Sequence, residues 1–487
     1  MLTERTMKRL QGMSQCSKNG LKAKRLFQLM TNYPDLWQEV AESISRNKGA
    51  NTAGIDGEDH AVACAKLDFT REQLRQNEYR PKPVRRVYIP KKNGKLRPLG
   101  IPTATDKMVQ AVAARILEEI YEPIFSVHSH GFRKEHSCHT ALEEFKHNWK
   151  GTKWIIEADI RGCFDNLNHE VLMEVLAERI DDRRFLKLIK SFLQVGYMEN
   201  WDYKRTFSGT PQGGTISPIL ANIYLHELDE WLEKKAELFN RGIRRQCEPE
   251  YQRLHGRYIR GVYKVRQLKK SGRTDEAAKL ELEIKFWQQE YRKFSRSDPF
   301  DPNFRRMRHI RYADDFVISI IGSKTEADQL LVELNGFMQN TLKVELAPEK
   351  TRVVHASEGS RFLGYDIKTV SDPNRIVRRN GAERRSMMGE HTTLEWPMER
   401  VLKFACEHGY INNIQECRIT PRLPIMNLNT MQIVQRYIQE LRGVSNYYSL
   451  ARNWKHAGGR LHWWCKASLA KTLAGKMRTK GTKYSRK

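Results

Sequence analysis

Two adjacent aspartates, Asp314 and Asp315, interrupt a segment whose other residues are typical of a β-strand. The segment 308–320 reads RHIRYADDFVISI, with apolar and aromatic residues on both sides of the pair. Strands disfavour aspartate, and like charges placed side by side repel each other. A tight turn tolerates aspartate, so the pattern predicts a β-hairpin with both carboxylates at its turn. A hydrated turn is one interpretation, and a cation site is the other.

A second buried strand is predicted for TKWIIEADI at 152–160, and it ends at another acidic residue, Asp159. If one sheet contains both strands, three carboxylates from distant parts of the sequence come together. Carboxylate oxygens suit Mg²⁺. Two such ions about 3.5–4 Å apart can activate a hydroxyl group and stabilise a leaving pyrophosphate. The three acids therefore indicate a site for phosphoryl transfer.

The charge of the 487-residue chain restricts its partners. A formal net charge of +27 favours a polyanion, either nucleic acid or an anionic membrane surface. No apolar stretch of about 18 residues could span a bilayer, and the N-terminus lacks the apolar core of a signal peptide. The eight cysteines form no CxxC pair, which fits a reducing compartment. We expect nucleic acid as partner, no membrane, no secretion, and a bacterial cytoplasm or an organellar matrix as location.

Helices are predicted over much of the remaining chain. Residues 1–45 have helical spacing of apolar residues, and a further helix is expected with Ser217 as N-cap and Pro218 at its first position. The charged segment 233–305 is predicted to be helical with a break at Ser271-Gly272, and we interpret it as a surface insertion. A solvated helical pair without a special role is the alternative. The sequence HSCH at 136–139 has the atoms of zinc ligands but lacks a second pair at zinc-finger spacing.

The C-terminal region combines an apolar stripe with strong positive charge. The stripe predicts a helix packed on a core and consists of Ile433, Val434, Tyr437, Ile438 and Leu441. No acidic residue follows Glu440, and the last 37 residues contain eleven Lys or Arg. Aromatic residues lie among these charges, namely Trp454, Trp463, Trp464 and Tyr484. Basic groups beside aromatic rings suit nucleic-acid binding, and a tail that only aids solubility is the alternative.

Several motifs, taken in chain order, resemble the group II intron-encoded proteins of the mitochondrial-like lineage. The palm motifs of reverse transcriptases are similar to ADIRGCFD, SGTPQGG, YADD and RFLGYDI. The narrower resemblance rests on RNKGANTAGIDG, PVRRVYIPKKNGKLRPLGIPTATDK, SHGFRKEHSCHTAL, SPILANIYLHELD and ELRGVSNYYSLARN. The resemblance runs from about residue 45 to the end of the chain.

The resemblance implies an α/β (α+β) right-hand polymerase fold, with an antiparallel palm sheet and fingers followed by an α-helical thumb. The expected regions are an N-terminal extension and the start of the fingers at 1–79, fingers and palm at 80–380 with the insertion at about 233–305, and a thumb/maturase domain at 381–487. The sequence ends at KGTKYSRK without the His-Asn-His cluster of many relatives. We therefore expect either an endonuclease-free type or a shortened chain.

The resemblance also implies roles for individual residues. The catalytic and metal-binding acids would be Asp159, Asp314 and Asp315, with the backbone carbonyl of Ile160 as a further ligand of two Mg²⁺ ions. Contacts to the incoming dNTP are implied for Arg85, Lys91, Arg97, Phe164 and Gln212, where Phe164 would exclude a 2′-hydroxyl. Tyr312 would support the hairpin against the primer. Nucleic-acid contacts are expected from Arg442, Arg452, Lys455, Arg460, Lys466 and Lys471.

The function that follows is RNA-directed DNA synthesis combined with binding of the chain's own group II intron RNA, splicing and target-primed retrohoming. Expected partners are the intron RNA, an RNA template and a DNA primer or target, with a homodimer in the ribonucleoprotein as a further option. Two alternatives stay open. One is an RNA-binding splicing factor without polymerase activity, and the other is a domesticated reverse transcriptase without intron mobility.

Overall fold

A computed structural model describes the chain except for residues 1, 48, 91–93, 95, 200–201, 205–208, 210–212, 295, 299–300, 372–375, 380–381, 386–389 and 478–487, and gives only the backbone at 202, 371, 376–379, 382–385 and 390. None of the helices in these described parts is long and apolar enough to cross a membrane.

Helices and strands alternate along the first two thirds of the chain, and helices dominate the last part. Helices α1 to α17 are, in order, Glu4–Lys18, Leu26–Asn32, Pro34–Ser45, His60–Ala65, Leu67–Arg75, Ala104–Tyr121, Cys138–Asn148, Cys163–Asn166, His169–Arg179, Arg183–Gln194, Ser217–Phe239, Pro249–Lys270, Thr274–Tyr291, Lys324–Asn340, Met398–Glu407, Thr430–Tyr447 and Trp454–Lys476. Strands β1 to β15 are Ala23–Lys24, Val84–Pro90, Leu96–Ile101, Trp154–Asp159, Ile180–Asp181, Tyr197–Glu199, Asp202–Lys204, Arg306–Tyr312, Asp315–Ile321, Arg352–His355, Ser360–Phe362, Tyr365–Ser371, Ile376–Arg379, Ala382–Arg385 and Glu390–Glu395.

The central sheet has the strand order β10-β4-β9-β8, and every pairing in it is antiparallel. Strands β4 and β9 are almost continuous runs of apolar residues because helices cover one side of the sheet and a second core covers the other. The predicted strand that ends at Asp159 and the predicted hairpin around Asp314 are both confirmed. This sheet is the antiparallel palm sheet expected from the sequence.

A second sheet, with the order β3-β2-β6-β7, lies at the position expected for the fingers. Its β2–β3 hairpin carries Arg85 and Arg97 on strands that pair directly with each other. The N-terminal helices predicted for residues 1–45 are present as α1, α2 and α3, and they pack into the same core as α6. Helix α6 is buried on most sides and thus joins the N-terminal helices to the palm.

The predicted N-cap of helix α11 is shifted by one residue. Ser217 is the first helical residue, and Ile216 occupies the cap position without a side-chain cap bond. The Ser217 amide donates to the carbonyl oxygen of Gly214 at 3.2 Å, so the preceding turn leads directly into the helix. Pro218 then lies at the second helical position, where the missing N–H is still tolerated.

The segment 233–305 forms a helical hairpin of α12 and α13, with its break at Ser271-Gly272 as predicted. The two helices share a small core of their own, made of Val265, Leu268, Ala277 and Ile284. Gly261 allows their close approach, since a Cβ there would lie 2.9 Å from Cγ1 of Ile284. The hairpin is therefore a locally packed unit.

The C-terminal helices α15, α16 and α17 pack into the second core, which also contains Ile155, Ile310 and Val317 from the palm sheet. The apolar stripe on α16 is only partly buried: Ile433 and Tyr437 lie in the core, whereas Ile438 is 49 % exposed. The prediction for Ile438 was therefore wrong, because α16 meets its neighbours over a narrower face than its apolar spacing suggests. Strand β15 pairs with β12, although the expected domain boundary at 380/381 lies between these strands in the sequence. The domain limits stay predictions.

Candidate active site

The sheet brings the three predicted acids together at one end. Asp159 is the last residue of β4 and lies directly opposite Asp315, the first residue of β9. On the other side of β9, Asp315 is paired with Tyr312, so Ala313 and Asp314 form a two-residue turn. The register of three neighbouring strands thus fixes the positions of all three carboxylates.

The turn itself has an unusual backbone. Ala313 has a φ of 56°, in the left-handed region that residues with a side chain rarely adopt. Two-residue hairpin turns need such positive φ values. The loop at Gly131 lies against this turn so closely that a Cβ on Gly131 would be 2.3 Å from the backbone nitrogen of Ala313.

A buried arginine, Arg311, connects this turn to helix α11. Its Nε and Nη2 donate to Oδ1 and Oδ2 of Asp229 at 2.8 and 2.5 Å, and neither side chain is exposed. Its Nη1 donates to the carbonyl oxygen of Ala313 at 2.9 Å and to Oδ1 of Asn222 at 3.1 Å. Nδ2 of Asn222 donates in turn to the carbonyl oxygen of Gly131 at 2.8 Å. Strand β8, helix α11 and the loop at 131 therefore hold the turn together.

The sequence analysis missed the Arg311 network and Lys350. Arg311 is one of three arginines in β8, so the sequence did not distinguish it from the others, and nothing in the spacing marks Lys350. The Nζ of Lys350 lies 2.6 Å from Oδ2 of Asp159. It therefore places a positive charge directly on the carboxylate cluster.

The carboxylates oppose one another's ionisation. Burial, followed by the charges of Asp314 and Asp159, raises the pKa of Asp315 to about 7. Burial and the charge of Asp159 also raise the pKa of Asp314, and the positive charges of Lys350 and Arg97 partly offset that shift. A cluster of acids that repel each other in this way is stabilised by a cation.

The arrangement of the three carboxylates suits Mg²⁺ that is bound together with substrate phosphates better than Mg²⁺ that is bound by the protein alone. Within the described ranges, no group of three or more His, Cys, Asp or Glu side chains is arranged to hold a metal ion by itself. Mg²⁺ retains waters and is usually held by one or two carboxylates together with substrate phosphates. The three carboxylates therefore form an open edge that a substrate phosphate could complete. Ile160 follows Asp159, and since its side chain is buried, its backbone is the part that could meet a cation.

We expect Mg²⁺ to raise the Tm of the protein more at about pH 8 than at about pH 5.5. The pKa of Asp315 in the folded protein lies above its value in the unfolded chain, so protonation of Asp315 stabilises the metal-free fold. This stabilisation is lost as the pH rises through about 7. Below that pH the cation must displace a proton. Thermal scans with and without MgCl₂ at the two pH values measure the difference. In Asp315→Asn, the rise in Tm caused by Mg²⁺ should depend less on pH. Equal shifts at both pH values would contradict the expected linkage.

The predicted nucleotide contacts are only partly within the described residues. Arg97 is exposed on β3, and its charge acts on Asp314, which places it on the side of the acids. Arg85 is exposed on β2, and its Nη2 donates to the carbonyl oxygen of Ala53 at 2.7 Å. This bond ties the β2–β3 hairpin to the loop at 46–57. Lys91 and Gln212 lie outside the described residues.

Phe164 lies on the short helix α8, five residues after Asp159, and is half-buried. Its ring meets the edge of Phe132 with 6.3 Å between ring centroids. Gly209 packs against the backbone of α8, where a Cβ would lie 2.5 Å from the carbonyl oxygen of Asp165 and 2.6 Å from that of Phe164. Gly209 therefore lies directly against the helix that carries Phe164.

The side chains of the HSCH sequence point to different partners. Ser137 caps helix α7, Cys138 interacts with the hydroxyl of Tyr312, and Nε2 of His139 lies 2.8 Å from the carbonyl oxygen of Tyr447. Tyr447 belongs to α16, so this sequence joins the palm to the C-terminal helices. Tyr312 is thus contacted from α7, and its role in supporting the hairpin stays a prediction.

The predicted nucleic-acid contacts share one property: all are exposed on α16, on α17 or between them, and they are Arg442, Arg452, Lys455, Arg460, Lys466 and Lys471. Two are also engaged within the protein, since Lys471 donates to the carbonyl oxygen of Ile419 and Arg460 lies over the ring of Trp464. Trp464 is only 2 % exposed, so its predicted role in base stacking was wrong. Trp463 is 59 % exposed, and Tyr484 lies outside the described residues.

Comparison with known families gives two matches that agree with this layout. Residues 89–258 match the reverse transcriptase (RNA-dependent DNA polymerase) family. Residues 390–486 match the type II intron maturase family. The first match includes Asp159 and ends within α12, and the helical insertion lies between this match and strands β8 and β9. The reverse transcriptase match confirms the right-hand polymerase fold predicted from the sequence.

Curated relatives extend the similarity over most of the chain. The group II intron-encoded protein LtrA of Lactococcus lactis subsp. cremoris is 40% identical over 425 residues, which are 86% of this chain and 69% of LtrA. The putative COX1/OXI3 intron 1 protein of Saccharomyces cerevisiae is 33% identical over 85% of this chain and 48% of its own length. Protein YkfC of Escherichia coli is 32% identical over 79% of this chain and 90% of its own length. The chain belongs to the group II intron-encoded proteins and combines their reverse transcriptase and intron maturase regions.

Proposed function

We propose that the chain synthesises DNA on an RNA template at the end of the palm sheet, with two Mg²⁺ ions held by Asp159, Asp314 and Asp315. The observation that carries this proposal is the direct pairing of Asp159 with Asp315 beside the two-residue turn. Membership of the family supports the reaction and the binding and splicing of intron RNA. Retrohoming by target-primed synthesis is consistent with that membership and is part of the proposal.

The protein's own groups would position the reactants. When bound, the Mg²⁺ ions would lower the charge barrier between a primer 3′-hydroxyl and the triphosphate. Asp159, Asp314 and Asp315 would hold these ions, together with the carbonyl oxygen of Ile160. Arg97 lies on the same side as the acids and would pair with triphosphate oxygens. Arg85, on the same hairpin, and Lys91, which follows β2 in the sequence, are proposed to act with it.

Selection of deoxynucleotides is assigned to Phe164. Its ring contacts the ring of Phe132, and Gly209 packs against the backbone of the helix that carries it. We expect the ring at this position to exclude a 2′-hydroxyl by contact. Gln212 belongs to the same loop in the sequence and is proposed to touch the incoming nucleotide.

Primer extension tests the proposal directly. Purified protein, an RNA template annealed to a DNA primer, dNTPs and MgCl₂ should give full-length DNA, and RNA synthesis with rNTPs should be much weaker. Absence of extension with Mg²⁺, Mn²⁺ and other common divalent ions would favour the alternative, a splicing factor without polymerase activity. A domesticated enzyme would extend primers but would not bind a group II intron RNA.

The C-terminal helices are proposed to hold RNA through the exposed face of α17. Lys455, Arg460 and Lys466 lie on the exposed arc of this helix around Trp463. A homodimer and a cytoplasmic or matrix location also stay proposals, which sedimentation and cell fractionation would test.

Two neighbouring tryptophans on α17 should respond in opposite ways to replacement by alanine. Trp463→Ala should leave the protein folded and weaken RNA binding by about 1–3 kcal/mol, the usual value of one base–aromatic stack. Trp464→Ala should destabilise the C-terminal domain by about 3–5 kcal/mol because it empties a core position. Thermal unfolding and RNA filter binding measure the two effects. Unchanged RNA affinity in folded Trp463→Ala would contradict a stacking role.

A further inference from the structure

The helical insertion has a surface that the active site does not use. Its two helices differ in charge: α12 contains seven Lys or Arg and one Glu, whereas α13 contains five acidic residues and two Lys. A helical pair selected only for solubility would mix the two signs on each helix. The separation of charge indicates that α12 presents its positive face to a polyanion.

The basic residues of α12 form a line. Arg253, Arg257, Arg260 and Lys264 follow each other at intervals of four, three and four residues, and all are exposed. Such intervals place side chains on one face of a helix. At 1.5 Å per residue the line is roughly 16 Å long. We call these four residues the α12 stripe.

Most of the α12 stripe is not neutralised within the protein. Arg253 pairs with Glu250, and Lys269, outside the stripe, pairs with Glu281 on α13. Arg257, Arg260 and Lys264 make no ion pair or hydrogen bond with any part of the chain that the structure describes. Three guanidinium or ammonium groups in the stripe are thus directed to solvent.

A glycine lies beside the α12 stripe. Glycine weakens a helix relative to alanine, so an interior helical glycine needs a reason. Gly261 has one, because it packs against α13. Gly256 has none of that kind, since the atoms nearest a Cβ would be the Arg260 guanidinium nitrogens at 3.9 Å. The Arg260 guanidinium thus lies over Gly256, next to the helix backbone.

We propose that the α12 stripe binds the phosphate backbone of structured intron RNA outside the polymerase cleft. The line of charges suits consecutive phosphates. Tyr263 is 64 % exposed beside the stripe and offers a ring for an unpaired base, a common feature of RNA recognition. This inference rests on the proposed binding of intron RNA and assigns part of it to the insertion.

A matched pair of double variants tests the inference. Arg257→Gln/Arg260→Gln removes two charges from the stripe, and Lys279→Gln/Lys285→Gln removes two exposed charges from α13 of the same hairpin. The probe is a labelled RNA stem-loop of about twenty base pairs, added to protein saturated with unlabelled RNA–DNA primer-template. The stripe variant should bind the probe about tenfold or more weakly and reduce the salt slope of log Kd by about two. The α13 variant should bind as the unaltered protein does.

Primer extension separates this inference from the proposed function, because both double variants should extend a primer at the unaltered rate. Gly256→Ala should keep or raise the Tm while weakening binding of the stem-loop. Equal affinity of both double variants for the stem-loop would overturn the inference. An equally large loss for a DNA duplex of the same length, or for anionic vesicles, would overturn RNA as the occupant.

Discussion

Asp314→Ala should lower the rate of primer extension by at least about a thousandfold, because the change removes a carboxylate proposed to hold the cations that neutralise the reacting phosphates. The metal-free protein should at the same time be no less stable, and its Tm should stay the same or rise. The pKa of Asp314 is raised by burial and by Asp159, so its ionised form costs stability in the absence of metal. Loss of activity with retained stability is the expected signature of this site.

Asp328→Ala provides the matched control. Asp328 is an exposed acid on α14, away from the turn, and its replacement should change neither extension nor Tm. Single-turnover extension with saturating primer-template, together with thermal scans, measures both quantities. Extension at a rate near that of the unaltered protein in Asp314→Ala would contradict the proposed role of the acid.

Arg311→Met should destabilise the protein by about 3–5 kcal/mol, because it leaves the carboxylate of Asp229 buried without its partner. The pair is fully buried, and its replacement by two apolar residues of similar size should therefore recover much of that stability. The double variant Arg311→Met/Asp229→Leu should thus fold with a Tm near that of the unaltered protein.

Extension should remain impaired in the stable double variant. The Arg311 guanidinium also donates to the carbonyl oxygen of Ala313, and this bond holds a turn with a positive φ next to Asp314. Without the bond the two aspartates lose their fixed position, so we expect a lower rate and a higher Mg²⁺ concentration for half-maximal extension. Full recovery of both stability and extension in the double variant would show that Arg311 has only a structural role.

Much of the palm could be predicted from the sequence because its signals are local. The strand at Asp159, the hairpin at Asp314 and the helical break at Ser271-Gly272 each follow from residues close in the chain. Their meeting was also predictable, since one antiparallel sheet brings strand ends together.

The rest depends on contacts between distant segments, which spacing does not reveal. Trp463 and Trp464 are adjacent, and only the packing of α17 on α15 and α16 decides that Trp464 is the buried one. Ile438 follows the spacing of a core residue but lies beyond the contact of α16 with its neighbours. Lys350 reaches Asp159 across 191 residues of sequence. The Arg311–Asp229 pair joins a strand to a helix in the same long-range way.

The most direct test is to locate the cations in the assembled complex. Crystals grown with RNA template, DNA primer, a non-reactive dNTP analogue and Mn²⁺ allow anomalous scattering to mark each ion. We predict two Mn²⁺ positions about 3.5–4 Å apart, with carboxylate oxygens of both Asp159 and Asp314 as ligands. Mn²⁺ bound to the triphosphate with Asp159 or the 314–315 turn outside coordination distance would contradict the account.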